Sequence, residues 1–493
     1  MKNPNVINIE LTDEIAVAKL RANYGNTATG YLEAESDELR AKILNAPNTE
    51  EIYEIKGTKY YVSANGDDQN DGLSPEKAIC SLDAIEKLPL KEGDALLFQL
   101  GSIFRFGRSL NTVNGVTYGS YGEGQKPKIF GSPENYAEND SWVEVKPNIW
   151  QIAFDYPYAS GLILDYGMIA GVQKWKGIDT MEANGDYCHN VEEKVFYLYC
   201  DQGKPSDVYH DIEIMPTVHL FFMRGAKDII IDNICFKYTA AFAIFVPDAK
   251  NNITVTNCEI GYIGGLWVGG KVGWLRYGNS IEFWAGIPDL CIENVLVKNN
   301  WFYQVYDSAL TWQGNQKGTI YKDITYTENL FEYNNADIEF FDQDTSVVDN
   351  FVMSQNLMRF TSMGWGTRTN DGGIRGIEGC IRGVTGGYRK REENWVKSEM
   401  NVKSAYFTDN TMDSPARQII NWNVIPEQKK NIHASGSKIY VNSEYRTLVP
   451  CLQGLQDDLL AEPYDIRFGN NKEELEKMLE KFEIGAEIHW DGE

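Results

Sequence analysis

Five carboxylates lie in or beside three short β-type runs of this 493-residue chain, SIEFWAG (280–286), ALTWQG (309–314) and DIEFFDQ (337–343). They are Glu282, Asp307, Asp337, Glu339 and Asp342. Hydrolysis of a glycosidic bond needs one carboxylic acid to protonate the leaving oxygen and a second carboxylate to attack or to activate water. The three runs align on their apolar residues Ile281, Leu310 and Ile338. Because side chains alternate across a strand, Glu282, Thr311 and Glu339 then share an outward column. Trp284, Gln313 and Phe341 form the next column, and Ser280, Ala309 and Asp337 the one before. If the runs are consecutive coils about 4.8 Å apart, Glu282 and Glu339 start about 9.6 Å apart, the wide limit for an inverting pair. Asp307 with Glu339 is the closer, retaining-type alternative. Any one of these acids also reads as a solvated residue on an acidic protein; the cluster is what points to chemistry. Trp284 and Phe341 beside the acids make a platform for the apolar face of a sugar ring.

Two long segments, Gly264 to Asn279 and about Thr361 to Asn394, precede entry into such runs and should rise beside the face as walls, where binding residues tend to sit. The first carries Trp267, Trp274, Arg276 and Tyr277. The second carries Trp365, Arg368, Asp371, Arg375 and Arg382. The expected catalytic set is Glu282, Glu339, Asp307 and Asp337. The expected substrate contacts are Trp284, Phe341, Gln313, Arg276, Trp274, Trp365, Asp342, Arg368 and Arg375. A polysaccharide lyase is a second expectation, with Arg368, Arg375 or Arg382 neutralising a uronate while a base takes the neighbouring proton. A non-catalytic carbohydrate-binding protein is a third.

The elements that must position these groups form a repeat between Asp228 and Trp422: IIIDNICF, ITVTNCEI, VLVKNNWF, ITYTENLF, FVMSQNLM and YFTDNTM. Each is a β-rich run, an Asn, and a short run closed by a large apolar residue. The closing residues Phe236, Ile260, Phe302, Phe331, Met358 and Met412 are separated by 24, 42, 29, 27 and 54 positions, single coils with loops of varying length. Asn suits such a corner because it tolerates left-handed backbone and its amide can bond to the Asn one coil away. Unrelated strands of a sandwich would not repeat the Asn in register.

Around this repeat, residues 1–55 read as a helical N-terminal cap, with Ser36 capping a segment that carries Leu39, Ile43 and Leu44. Residues 56–455 read as the coil, interrupted at about 132–211 by a β-rich insertion with hairpin character. Residues 456–493 read as a C-terminal cap whose helix presents Leu475, Met478, Leu479 and Phe482 to the open end.

The stretch YYVSANGDDQNDGLSPEKA followed by LKEGDALLFQLG resembles the opening of bacterial right-handed parallel β-helix proteins of the pectate-lyase-like superfamily. RYGNSIEFWAG and VYDSALTWQG are similar to carbohydrate-active members of it. The resemblance covers roughly Lys59 to Trp422 and implies an all-β, right-handed parallel β-helix. Its motifs are specific for the fold and weak for substrate, since the superfamily holds hydrolases, lyases, epimerases, esterases and non-catalytic fibres. The paired-Asp and Gly-His-Gly signatures of polygalacturonases are absent, so that family's catalytic residues do not carry over.

A net charge of -25 and a pI near 4.7 argue against nucleic acid or an anionic membrane as partner and favour a neutral carbohydrate. One stretch departs from this, with Arg359, Arg368, Arg375, Arg382, Arg389, Lys390 and Arg391 against Asp371 and Glu378, where an acidic sugar could dock. The aromatics, 12% of the chain, fit either a sugar-stacking surface or an aromatic core. Eight Cys without CxxC spacing read as buried thiols, and five scattered His show no metal-ligand spacing. No cofactor is expected. Asp67, Asp68, Asn70 and Asp71 resemble a calcium loop, but the same letters make an ordinary tight turn, which is preferred. Met1 to Asn8 lack the basic start and apolar core of a signal peptide, so a cytoplasmic protein is expected, although a chain trimmed of a leader would read the same. The sequence does not bear on oligomeric state.

Overall fold

A computed structural model describes residues 30–273, 275–342, 345–367, 379–384, 388–391, 394–397, 400–415, 418–422, 430–442, 464–467, 471–481 and 484–491. The chain winds into a parallel β-helix whose coils each contribute three strands, as in Cys291–Lys298, Trp301–Val305 and Ser308–Gly314. Strands of one kind stack in register from coil to coil and form three sheets, called first, second and third in the order in which the chain visits them. Inward apolar side chains fill the interior, so hydrophobic burial between neighbouring coils holds the solenoid together.

The closing residues identified in the sequence stack in one ladder of the second sheet: Phe236 on Ile260, Ile260 on Phe302, Phe302 on Phe331, Phe331 on Met358 and Met358 on Met412. The ladder also continues backward through Ile129 to Phe104 and forward to Ile439, coils whose corners lack the repeat. At the corner before this sheet, two neighbouring residues divide the work assigned to one Asn. Asn257, Asn299, Glu328, Gln355 and Asp409 take the left-handed backbone, each with φ near +55°. The residue after each lies inside, and Asn300, Asn329, Asn356 and Asn410 pass amide hydrogen bonds of 2.9–3.0 Å along the stack. A buried amide with a partner above and below leaves no polar atom unsatisfied.

Three segments leave the coil at one corner, between the second and third sheets: the β-rich insertion, the 264–279 loop and the segment after Arg359. The insertion pairs mostly antiparallel, as its hairpin character predicts. Trp267 of the second segment meets Trp175 of the first, and a Cβ on Gly265 would lie 3.0 Å from the Trp365 ring of the third. Emerging close together, they pack into one wall over that corner.

Helix Glu33–Leu44 differs from expectation in start and in position. Ser36 lies inside it and donates to the Glu33 carbonyl. Just before the helix, the Tyr31 and Leu32 N–H groups donate to Asp413 of the coil. The helix lies along the outer face of the second sheet, where Arg40 and Glu33 join a buried network with Glu332, Arg359 and Asp413. Arg359 is therefore a structural cation and not part of a docking surface. Helix Lys472–Lys481 buries Leu475 and Leu479 in the main core; Phe482 lies outside the described residues. Large aromatics such as Trp301, Trp312, Tyr303 and Tyr326 are fully buried, so much of the aromatic content is core. Of the cysteines, Cys291 is exposed and Cys80 half-buried, contrary to the expectation of buried thiols.

Candidate active site on the third sheet

The third sheet carries the three runs in the register read from sequence. Ile281 lies on Leu310 and Leu310 on Ile338; Glu282 lies on Thr311 and Thr311 on Glu339; Trp284 lies on Gln313 and Gln313 on Phe341. Ile281, Phe283, Leu310, Trp312, Ile338 and Phe340 face the core, which leaves the intervening residues on the outer face.

That face is not uniformly open. The column nearer the corner lies under the wall, and Glu282, Asp307 and Glu339 keep only 2–3% of their surface. Trp284 and Phe341, one column further out, stay half-exposed beside them, as a platform requires. Asp342 lies at the end of strand Ala336–Asp342.

The two glutamates have different surroundings. Burial pushes the Glu282 carboxyl up to about 8; the Asn279 amide at 2.8 Å opposes the rise, and the charges of Glu339 and Asp307 add to it. Asn279 also accepts from the Ser308 N–H, which fixes its orientation. Glu339 accepts on a single oxygen from Ser308 Oγ, Thr311 Oγ1 and Gln313 Nε2 at 3.0, 3.2 and 3.3 Å. One carboxyl is thus disposed to keep a proton at neutral pH, and the other is an acceptor held by three donors.

Asp337 does not share the outer face expected of it: its ladder neighbours Ala309 and Cys380 belong to the core, because the chain is turning the corner there. Asp337 receives Asn334 Nδ2 at 3.1 Å and Thr361 Oγ1, is fully buried, and is pushed up to about 7 by that burial. Arg276 and Trp365 do not reach the face. The Arg276 guanidinium donates to the carbonyls of Gly265 and Ser160 and lies against the Trp267 and Tyr306 rings, tying the insertion to the coil. Trp365 is buried edge-on against Tyr306 at 4.9 Å. Both were expected in the wall, and they are; the packing of the three segments against one another takes up their side chains. Trp274, Arg368 and Arg375 lie outside the described residues. Arg382 belongs to strand Gly379–Val384, where it is the ladder neighbour of Glu339.

Several residues at the site went unread in the sequence. Asn279 and Ser308 were visible only as neighbours of the acids, and Thr311 was placed in their column without a role. Phe245 precedes Glu282 in its column and begins an aromatic cluster with Phe222, His219 and Phe242. Aligning AIFVP (243–247) with the three runs would have exposed it. Among the described residues no group of three or more His, Cys, Asp or Glu is arranged to hold a metal, and no helix is long and apolar enough to cross a membrane. Asp67, Asp68 and Asp71 accept from nearby backbone N–H groups, as turn residues do.

No family model matches the chain, and no curated protein does. Solved structures with a similar course exist. XylC in complex with xylose aligns over 78% of this chain and 84% of its own, at 10% identity and a TM-score of 0.42. A GH136 lacto-N-biosidase from Eubacterium ramulus aligns over 90% and 69%, at 14% identity and a TM-score of 0.38. An exopolygalacturonase from Thermotoga maritima aligns over 82% and 91%, at 12% identity and a TM-score of 0.34. Likenesses this distant assign neither substrate nor catalytic residue to this chain.

Proposed function

We propose that this protein is a glycoside hydrolase acting on a neutral oligosaccharide, with Glu282 as general acid and Glu339 as base or nucleophile. The observation that carries the reading is the contrast between the two carboxyls: Glu282 is pushed up to about 8, and Glu339 is gripped by Ser308, Thr311 and Gln313. A protonated acid donates to the departing oxygen while the acceptor supports attack at the anomeric carbon. Trp284 and Phe341 offer stacking surface beside the pair. The near-complete cover over the carboxyls, with Trp284 and Phe341 half-exposed beside them, suits a short substrate end and exo-type cleavage. Asp307, one coil from Glu282 and from Glu339, is the alternative partner of Glu339, and Asp337 is assigned a supporting position.

Arg382, next to Glu339 in the ladder, favours a second reading as a polysaccharide lyase. A panel of aryl glycosides, neutral oligosaccharides and uronate polymers tests both. Release of reducing sugar with no ultraviolet-absorbing product is expected; an unsaturated product absorbing in the ultraviolet would replace the hydrolase by the lyase. The anomer released reports the pair: inversion fits Glu282 with Glu339, and retention fits Asp307 with Glu339.

A further inference from the structure

A cavity of about 810 Å³ lies between the β-rich insertion and the outer face of the second sheet, lined by residues other than those of the third-sheet site. Its floor is Arg105, Phe130, Lys237, Tyr238 and Tyr262 of the coil and Asp211 and Glu213 of the insertion. Glu134, Glu138 and Asp140 stand exposed at its mouth. We propose that this cleft binds a neutral oligosaccharide, independently of the chemistry assigned to Glu282 and Glu339.

The charges select the ligand class. Five carboxyl groups line the cleft against three cations, and two of those cations are committed to buried acids. Arg105 grips Glu213 with both terminal nitrogens at 2.8 Å, and Lys237 holds Glu259 at 2.8 Å. An anionic sugar or phosphate would meet five carboxyl groups and could use these two cations only by breaking their pairs, which is costly for buried charges. Burial beside Glu213 drives the Asp211 carboxyl well above the usual carboxylate range, which lowers the charge that the floor presents. Carboxyl groups with the amides of Asn135 and Asn139 suit hydroxyl groups, and the volume lies in the range of small-molecule sites.

The rim carries the ring such a ligand would stack on. Asp165, Tyr166 and Gly167 are successively left-handed, with φ of 50°, 58° and 100°, away from the coil corners where this conformation recurs. Such backbone persists only where its surroundings enforce it. Here the Tyr166 N–H donates to the Asp211 side chain at 3.2 Å, and Asp165 accepts from the His210 N–H at 2.7 Å. The turn holds Tyr166 at the edge of the cleft with 36% of its surface exposed.

Calorimetric titration of the whole chain, carrying Glu339→Gln to prevent turnover, tests this with neutral di- to tetrasaccharides of glucose, xylose, mannose and galactose. Oligogalacturonate and spermidine are the charged comparators. A neutral saccharide is expected still to bind when Trp284→Ala is added to remove stacking at the third-sheet site, and in that background about tenfold more weakly with Tyr166→Asn, which tolerates the left-handed backbone but lacks the ring. Should Tyr166→Asn lower the unfolding midpoint, Glu138→Gln at the exposed mouth takes its place and is also expected to weaken binding. No binding by any neutral saccharide, binding by the charged comparators alone, or binding lost in Trp284→Ala and indifferent to the cleft variants overturns the proposal. None of these outcomes bears on whether aryl glycosides are hydrolysed.

Discussion

Glu282 and Glu339 occupy one outward column of the third sheet, two coils apart with Thr311 between them, yet one is bonded by a single amide and the other by three donors. The difference predicts how the two respond to the same substitution. In Glu339→Gln the rate falls by about 10² to 10⁴ on every substrate. In Glu282→Gln it falls as far on oligosaccharides but little on nitrophenyl glycosides, whose leaving group departs without a proton. Equal losses on both substrate classes in Glu282→Gln would remove Glu282 from the acid's role; steady-state kcat on the two classes decides.

The raised Glu282 pKa also couples stability to pH. An unfolded Glu titrates near about 4.3, and the folded group is pushed up to about 8. Between these values the folded state holds a proton that the unfolded state has lost. Its contribution is full below about pH 4 and declines as pH rises towards 8, by up to about 1.4 kcal/mol per pH unit. Asp337, pushed up to about 7, acts in the same direction. The melting temperature of Glu282→Gln relative to the parent should therefore rise from pH 5 to 8 and level off above; a constant difference would contradict the shift. Turnover should fall above about pH 8 as the acid loses its proton.

Asn329 illustrates how the inner amide stack holds neighbouring coils. It accepts from the Asn300 N–H and amide and donates to the Val297 carbonyl and Asn356. Asn329→Ala leaves several of these buried groups without partners, at a cost of about 2–4 kcal/mol. Asn294→Gly, at an exposed left-handed position within strand Cys291–Lys298, should change stability by less than about 1 kcal/mol. Urea denaturation of both variants tests the contrast.

Arg359 has no surface exposure and bonds Glu332, Asp413, Glu33 and Ser36. Arg359→Met leaves Glu332 and Asp413 buried with their charge less compensated, so a loss of about 3–5 kcal/mol is expected. Amide hydrogen exchange should rise first in residues 33–44, because Asp413 also receives the N–H groups of Tyr31 and Leu32 that lead into the helix. Unchanged protection there would mean that the helix is anchored elsewhere.

Local pattern was enough to read the coil register and the columns through Glu282 and Trp284, but not the column of Asp337, where Ala309 and Cys380 belong to the core. A period of two assigns faces wherever one side is buried, and large apolar residues mark the inward position without knowledge of any neighbour. Ile281, Leu310 and Ile338 could be aligned for that reason, and Glu282 and Glu339 followed. The tertiary structure decided what those acids experience. Three segments distant in sequence meet over one corner, where their packing occupies Arg276 and Trp365; the loop ending at Asn279 supplies a partner for Glu282, and the insertion with the second sheet forms the cleft beside Tyr166. Likewise Ser36 reads as a cap in isolation, but it lies inside the helix, and Asp413, hundreds of residues away, holds the two residues that lead into it. Solvation and long-range partners have no local period, which is why they appear only once the chain is wound.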